Sequence, residues 1–241
     1  MRLPDIVRRS AYRASLVRGD YFVTRHIQTY LNHWVPRLVA RGAAVADVGC
    51  GEQPLRPAIT ALGARYLGVD VEQNRAGTVE VIADITQIPL PDAGCDVVLC
   101  TEVLEHVADT AAAFAELARL LRPGGYLLGT TPFAYPLHEE PYDYVRLTPH
   151  LVGRCAKASA LEVVDLTCAG NTWQLFATAL DQRAMRRMPM PRSAPQRLWL
   201  VLVRLLANGW AIVATRLAGK SGPGDYYLST LFVLRKLGAG A

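Results

Sequence analysis

No two of the five cysteines, Cys50, Cys95, Cys100, Cys155 and Cys168, form a C-x-x-C pair, and their number is odd. This suggests neither a disulfide framework nor a zinc site. Cys50, Cys95 and Cys100 sit in or beside apolar runs, where cysteine behaves as a small hydrophobe, and a reducing cytoplasm suits them. The N-terminus carries arginines but lacks the roughly 7–15-residue apolar run of a secretory signal. Internal repeats and long low-complexity segments are also missing. The longest apolar stretch, Leu198–Val213, is interrupted by Arg204 and Asn208 and falls short of the roughly 20 residues of a membrane span.

What remains is an ordinary globular balance. The 241 residues are 51% apolar and 20% charged, enough for one α/β domain with a sizeable core and some decoration. The net charge of +5 is uneven. Residues 1–26 hold six arginines against Asp5 and Asp20, and residues 181–204 hold six against Asp181. Such basic segments suit phosphates, acidic lipid or an acidic substrate, or simply a solvated surface.

Helical spacing predicts helices over 4–18 and 22–40, the second carrying Ile27, Tyr30, Leu31, Trp34 and Leu38 on one face. From Ala43 the pattern becomes β-α alternation. Strands are expected at 43–48, 66–69, 79–83, 96–100, 126–131, 161–167 and 226–236, with helices at 54–62 and 109–121. The Asp96–Cys100 run is apolar after its first residue, as a strand buried on both faces should be. The fold class is therefore α/β, with a mostly parallel seven-stranded sheet and helices on both faces. Between strands six and seven a long insertion holds a helix near 171–188, a Pro/Arg-rich joint, and a hydrophobic helix at 197–217.

The sharpest local signal is Val45-Ala-Asp-Val-Gly-Cys-Gly51, an apolar strand running into D-x-G-x-G. Glycines there let backbone N–H groups approach a ligand at the carboxyl edge of a sheet. Asp70 ends the second strand, where a carboxylate can accept both hydroxyls of a ribose. Asp84 follows the third strand, placed to accept from an adenine amino group, and the fourth strand leads into Cys100-Thr-Glu-Val-Leu-Glu-His106.

Together these residues resemble the Rossmann-like class I S-adenosylmethionine-dependent methyltransferases. The resemblance is greatest to the methyltransferase type 11-like bacterial group that includes ubiquinone/menaquinone-type and polysaccharide-cluster enzymes. It covers residues 43–168 and the last strand. It implies that Asp47, Gly49, Cys50 and Gly51 line the methionine half of S-adenosyl-L-methionine. It further implies that Asp70 and Val71 hold the ribose, that Asp84 and Ile85 frame the adenine, and that Thr101 and Glu102 complete the site. One residue departs from the pattern: the third glycine is replaced by Gln53, followed by Pro54. This argues against a dinucleotide-type G-x-G-x-x-G site and makes the start of the next helix unusual. The chain then divides into an N-terminal helical cap (1–42), a cofactor-binding core (43–168), a helical insertion (169–225) and a final strand with tail (226–241).

Methyl transfer from a sulfonium is an in-line displacement that needs alignment and exclusion of water, and an alcohol acceptor also needs a base. The densest polar run beyond the cofactor motifs follows the fifth strand, at Thr131–Thr148. Its H-x-x-P-Y-D-Y-x-R-x-T pattern resembles the polysaccharide-cluster enzymes. His138 is the candidate base. Asp143 either orients it or binds acceptor hydroxyls, and Tyr142 and Tyr144 are placed to stack on a sugar or ring. Arg146 either pairs with an acidic acceptor or holds Asp143 or Glu140 within the loop. No metal site is expected, although Asp143 with Glu139 and Glu140 could imitate a magnesium cluster.

The expected reaction is O-methylation of a glycan or of a glycosylated or lipid-linked precursor. The alternative is C- or O-methylation of a quinone, polyketide or other small ring. A nucleic-acid substrate is not expected: strand four ends in C-T-E-V, not the N/D-P-P-Y type used on base amino groups. Residues 183–217 are the candidate for peripheral contact with the inner face of the membrane or for a homodimer interface, because Arg197, Arg204, Asn208, Ala211 and Thr215 share one helical stripe and leave a wide apolar face. The chain is otherwise expected in the cytoplasm.

Overall fold

The computed structural model describes residues 12–187, 193–219 and 226–238. Its elements run α1 (Tyr21–Leu38), β1 (Ala44–Val48), α2 (Arg56–Ala61), β2 (Arg65–Asp70), β3 (Val81–Ile82), β4 (Cys95–Thr101), a 3-10 turn (Leu104–His106), α3 (Thr110–Leu120), β5 (Leu121–Pro132), α4 (Pro149–Ala158), β6 (Leu161–Ala169), α5 (Thr172–Arg187), α6 (Ala194–Ala218) and β7 (Ser229–Lys236). The strands form one sheet in the order β3-β2-β1-β4-β5-β7-β6. All neighbours pair in parallel except β7, which runs antiparallel to both β5 and β6.

The sheet separates two apolar layers. On one face α1 packs Phe22, Ile27, Leu31 and Val35 against Val45, Val97, Leu99, Leu128 and Val233. On the other, Phe114 and Leu117 of α3 and Val152 and Ala156 of α4 meet Ala46, Val98, Leu127 and Phe232. Strands β1 and β4, covered on both sides, are for that reason apolar apart from Asp47, Asp96 and the terminal Thr101. From β1 the chain winds outward to β2 and β3, and from β4 outward to β5. The carboxyl ends of β1 and β4 therefore open into a crevice at the point where strand order reverses, the place where such sheets bind ligands.

Several boundaries differ from the sequence reading. Residues 12–20 form turns and a bend without regular structure, not the end of a helix over 4–18, and residues 1–11 lie outside the described residues. Helix α2 starts at Arg56 because Gln53 adopts φ +53° and its side-chain amide donates to the Thr78 carbonyl at 2.8 Å. Helix α4 was not foreseen. Thr148 caps it by accepting from Leu151 N at 3.1 Å, and Pro149 occupies its first turn.

The polar stripe of α6 turns inward. The Arg204 guanidinium grips Asp181 at 2.7 Å, Asn208 donates to the carbonyls of Leu16 at 2.8 Å and Arg18 at 3.2 Å, and Thr215 exchanges hydrogen bonds with Asn171. Ala211 on the same stripe is fully buried.

Candidate active site

The turn after β1 is built by its glycines. Gly49 has φ +74°, and a Cβ there would stand 2.2 Å from a methyl of Val103. The N–H groups of Gly49 and Cys50 donate to the Val69 carbonyl at 2.8 and 3.1 Å, which ties the turn to the end of β2. Gly51 N donates to Asp70 Oδ2 at 2.8 Å. Oδ1 of Asp70 makes only a 3.4 Å contact with Glu72 N. A Cβ at Gly51 would project into open space, so the turn leaves a cradle beside the Asp70 carboxylate. The exposed apolar side chain of Val71 follows directly.

Beneath this turn Asp47 is buried and accepts a 2.6 Å hydrogen bond from the Tyr66 hydroxyl. Burial raises its carboxyl to about 6 against the pull of that hydrogen bond. Asp84 is exposed and accepts from the Thr86 N–H and hydroxyl at 2.8 and 2.6 Å, which hold it below the usual carboxylate range. Ile85 beside it is half-buried. Thr101 ends β4 in the crevice. Glu102 next to it takes φ +56°, a conformation that costs a non-glycine residue energy and recurs at functional sites, and it accepts from the Thr130 hydroxyl at 2.9 Å. The sequence reading missed Tyr12. Its hydroxyl lies 2.7 Å from Thr101 Oγ1, its phenol is pushed up by burial, and it brings the 12–18 segment across the mouth of the crevice.

The loop after β5 folds back onto the 3-10 turn, with Tyr144 N and Val145 N donating to the Glu105 carbonyl. This docking assembles a second cluster. Asp143 accepts from the His138 backbone N–H at 3.1 Å, and its Oδ2 lies 3.1 Å from His138 Nδ1. Arg146 clasps both carboxylate oxygens of Asp143 and holds it well below the usual range. The guanidinium also donates to the carbonyls of Val145 and Tyr135, so it is spent within the loop and not presented to an acceptor. Tyr142 and Tyr144 are exposed, while Tyr135 packs edge-on against the His138 ring.

With Nδ1 between the Pro136 carbonyl at 3.3 Å and Asp143, His138 presents Nε2 toward Glu105, 3.9 Å away. His106 does likewise: its Nδ1 meets the Tyr142 carbonyl at 3.0 Å, and its Nε2 lies 3.7 Å from the same carboxyl. Glu105 is fully buried and neither carboxyl oxygen has a hydrogen-bond partner. Burial, then the neighbouring Glu102, drives its carboxyl upward. Glu105, His106 and His138 each bring a ligand atom within 4.8 Å of the others, a geometry that a proton or a cation could occupy. The sequence had singled out His138 but not Glu105, whose isolation follows from loop docking that no local motif announces. A cavity of about 560 Å³ lies elsewhere, among His26, Tyr30, Trp34, Asp165 and Gln174, away from both clusters.

A glycine turn and a strand-end carboxylate at the reversal of a parallel sheet define a nucleoside-binding α/β protein. Comparison with known proteins narrows this. The methyltransferase-domain family model matches residues 46–129. The chain is 31% identical over 165 residues to a ubiquinone biosynthesis O-methyltransferase of Thiobacillus denitrificans, covering 56% of this chain and 71% of that protein. It is 36% identical over 121 residues to a probable S-adenosylmethionine-dependent methyltransferase of Mycobacterium tuberculosis, covering 47% of this chain and 43% of that protein. The chain thus spans less than half the length of the mycobacterial relative.

Among solved structures the fold matches an S-adenosylmethionine-dependent methyltransferase of Archaeoglobus fulgidus (TM-score 0.57, 14% identity, 90% of this chain and 97% of that one). It also matches the (4+2)-cyclase SpnF (TM-score 0.58, 16% identity, 88% and 81%). The chain belongs to the class I S-adenosylmethionine-dependent methyltransferase family. The family's cofactor fits the residues present: a cradle open at Gly51, the Asp70 carboxylate beside it and the buried Asp47 beneath it.

Proposed function

We propose that this chain methylates a hydroxyl oxygen of a glycan, or of a glycosylated or lipid-linked precursor, with His138 as the base. The observation that carries the reading is the His138 ring, held at Nδ1 between the Pro136 carbonyl and the Asp143 carboxylate, with Nε2 turned toward an unpartnered buried carboxyl. S-adenosylmethionine, when bound, supplies an electrophilic methyl group. Gly49, Gly51, Asp47 and Asp70 hold its two halves, and Glu102 shapes the end of β4 between that site and the acceptor loop. As the acceptor oxygen gains its bond to carbon, its proton passes to His138 Nε2. Asp143 stabilises the resulting imidazolium. The exposed Tyr142 and Tyr144 rings offer the flat faces on which a sugar packs.

A second reading, methylation of a phenolic hydroxyl on a quinone-type ring, is favoured by the ubiquinone biosynthesis relative. A phenol is acidic enough to depend less on the base. His138→Ala should lower turnover with an alcohol acceptor by roughly 10²–10⁴ and leave S-adenosylhomocysteine affinity intact. A loss below tenfold at saturating acceptor removes His138 from the role, and the same small loss with a phenolic acceptor favours the ring reading. Turnover should also persist in chelator. A loss that magnesium or zinc restores would instead place a cation among Glu105, His106 and His138.

A further inference from the structure

The insertion between β6 and β7 exposes a run of large apolar side chains, and the stretch from Gln182 to Gly224 within it carries charge of one sign. With its polar stripe turned inward, α6 shows solvent Leu198, Trp199, Leu202, Leu206, Trp210 and Val213, with Leu206 74% exposed and Leu198 60% exposed. Helix α5 extends the surface with Trp173, Phe176 and Leu180 at helical spacing, each exposed, the first two packed edge-on against Trp210. The 25 residues of α6 make this face about 37 Å long at 1.5 Å per residue. By length and composition α6 is apolar enough to cross a bilayer, with a mean hydropathy of 1.7 over its most apolar 18 residues. Its inner side is nevertheless committed to the domain through Arg204, Asn208, Ala211 and Thr215. Held in this way from Arg204 to Thr215, the helix turns its apolar face to solvent.

The charge pattern selects what covers it. From Gln182 to Gly224 the sequence contains eight basic residues and no acidic one: Arg183, Arg186, Arg187, Arg192, Arg197, Arg204, Arg216 and Lys220. Only Arg204 falls within the apolar run, and it is turned inward to Asp181. The others lie toward the two ends of α6 in sequence. A second copy docking face to face would set like charges against each other, whereas an anionic bilayer complements them.

We propose that the α5–α6 hairpin docks this chain in the plane of an anionic membrane, its apolar face in the acyl boundary and its basic ends at lipid phosphates. The hairpin adjoins the acceptor loop, since Gln182 Nε2 donates to the Tyr135 hydroxyl at 3.2 Å. An acceptor carried on a lipid would thus arrive beside His138. That last point deepens the reading of the site as acting on a lipid-linked precursor; the docking itself does not depend on it.

The test is flotation of the full chain with vesicles of phosphatidylcholine alone or mixed with phosphatidylglycerol, at low and high salt. Leu198→Glu/Leu206→Glu, both at exposed positions, is run beside the wild type. S-adenosylhomocysteine calorimetry and circular dichroism report that each chain is folded, and light scattering gives its oligomeric state. The wild type should float with phosphatidylglycerol vesicles and be released by salt. The double variant should float roughly tenfold less or worse, with unchanged ligand affinity. Arg187→Glu/Arg192→Glu should weaken flotation about tenfold at low salt. The proposal is overturned by a wild type that never floats, by flotation indifferent to lipid charge and salt, or by a dimer that the leucine substitutions convert to monomer. Failure of methyl transfer with flotation intact would overturn only the reading of the active site.

Discussion

At the scale of single residues, the proposed chemistry rests on where charge is fixed and where a carboxyl is left without a partner. Arg146 keeps Asp143 ionised, Asp143 orients His138, and Glu105 is buried with no partner. The link between His138 and Asp143 could be read from their closeness in one polar loop. The commitment of Arg146 to that loop was one of two readings the sequence left open, and geometry decides it because both carboxylate oxygens lie within the reach of its planar fork. Gln53 shows the same limit. Its departure from glycine was visible, but its use of a left-handed backbone to pin the Thr78 loop was not.

Asp47 gives the residue-scale prediction. Burial raises its carboxyl to about 6, so it becomes neutral on acidification earlier than an ordinary aspartate. The cationic amino group of the ligand favours its ionised form. S-adenosylhomocysteine affinity should therefore be full above about pH 6 and fall below it by up to about tenfold per unit. Asp47→Asn should flatten this profile at the weak end, and an unaltered profile in that variant would assign the titration to another group. Without ligand the sign reverses. The folded chain holds this proton more tightly than the unfolded one, so the contribution of Asp47 to stability falls as pH rises from about 4 to about 6.

At the scale of elements, the legible parts are those with a periodic apolar pattern. Strands β1 and β4 and helix α3 stand where that pattern put them, because both faces of the strands and one face of the helix are buried. Helix α4 escaped notice although Thr148-Pro149 is a cap-and-first-turn signal and Val152, Cys155 and Ala156 are its buried face. The polar loop before it drew Thr148 into the functional motif. Helix α6 was legible as a stripe and a face, but which side met the domain was not. The polar stripe is the buried one, since it satisfies the carbonyls of residues 16 and 18. Asn208→Ala should therefore cost about 1–3 kcal/mol of stability, read from the urea midpoint, and loosen the segment that carries Tyr12 over the crevice. A midpoint equal to that of the wild type would mean that these carbonyls are satisfied without it.

At the scale of the whole molecule, one sheet places three features along one edge. The glycine turn and Asp70 stand at the ends of β1 and β2, the His138 cluster stands after β5, and the basic, apolar hairpin sits between β6 and β7. The order of strands sets the first two on either side of the reversal point; the spacing of Asp47, Asp70 and Asp84 made the first legible, while the place of the second followed from the fold. The account stands on the reading of that crevice as the S-adenosylmethionine site, and titration calorimetry with S-adenosylhomocysteine tests it most directly. The wild type should bind one ligand per chain, and Asp70→Ala should weaken binding by about 10- to 150-fold, the worth of roughly 1.5–3 kcal/mol of hydrogen bonding to a charged group. No binding by the folded wild type, or an Asp70→Ala affinity equal to it, would contradict the account.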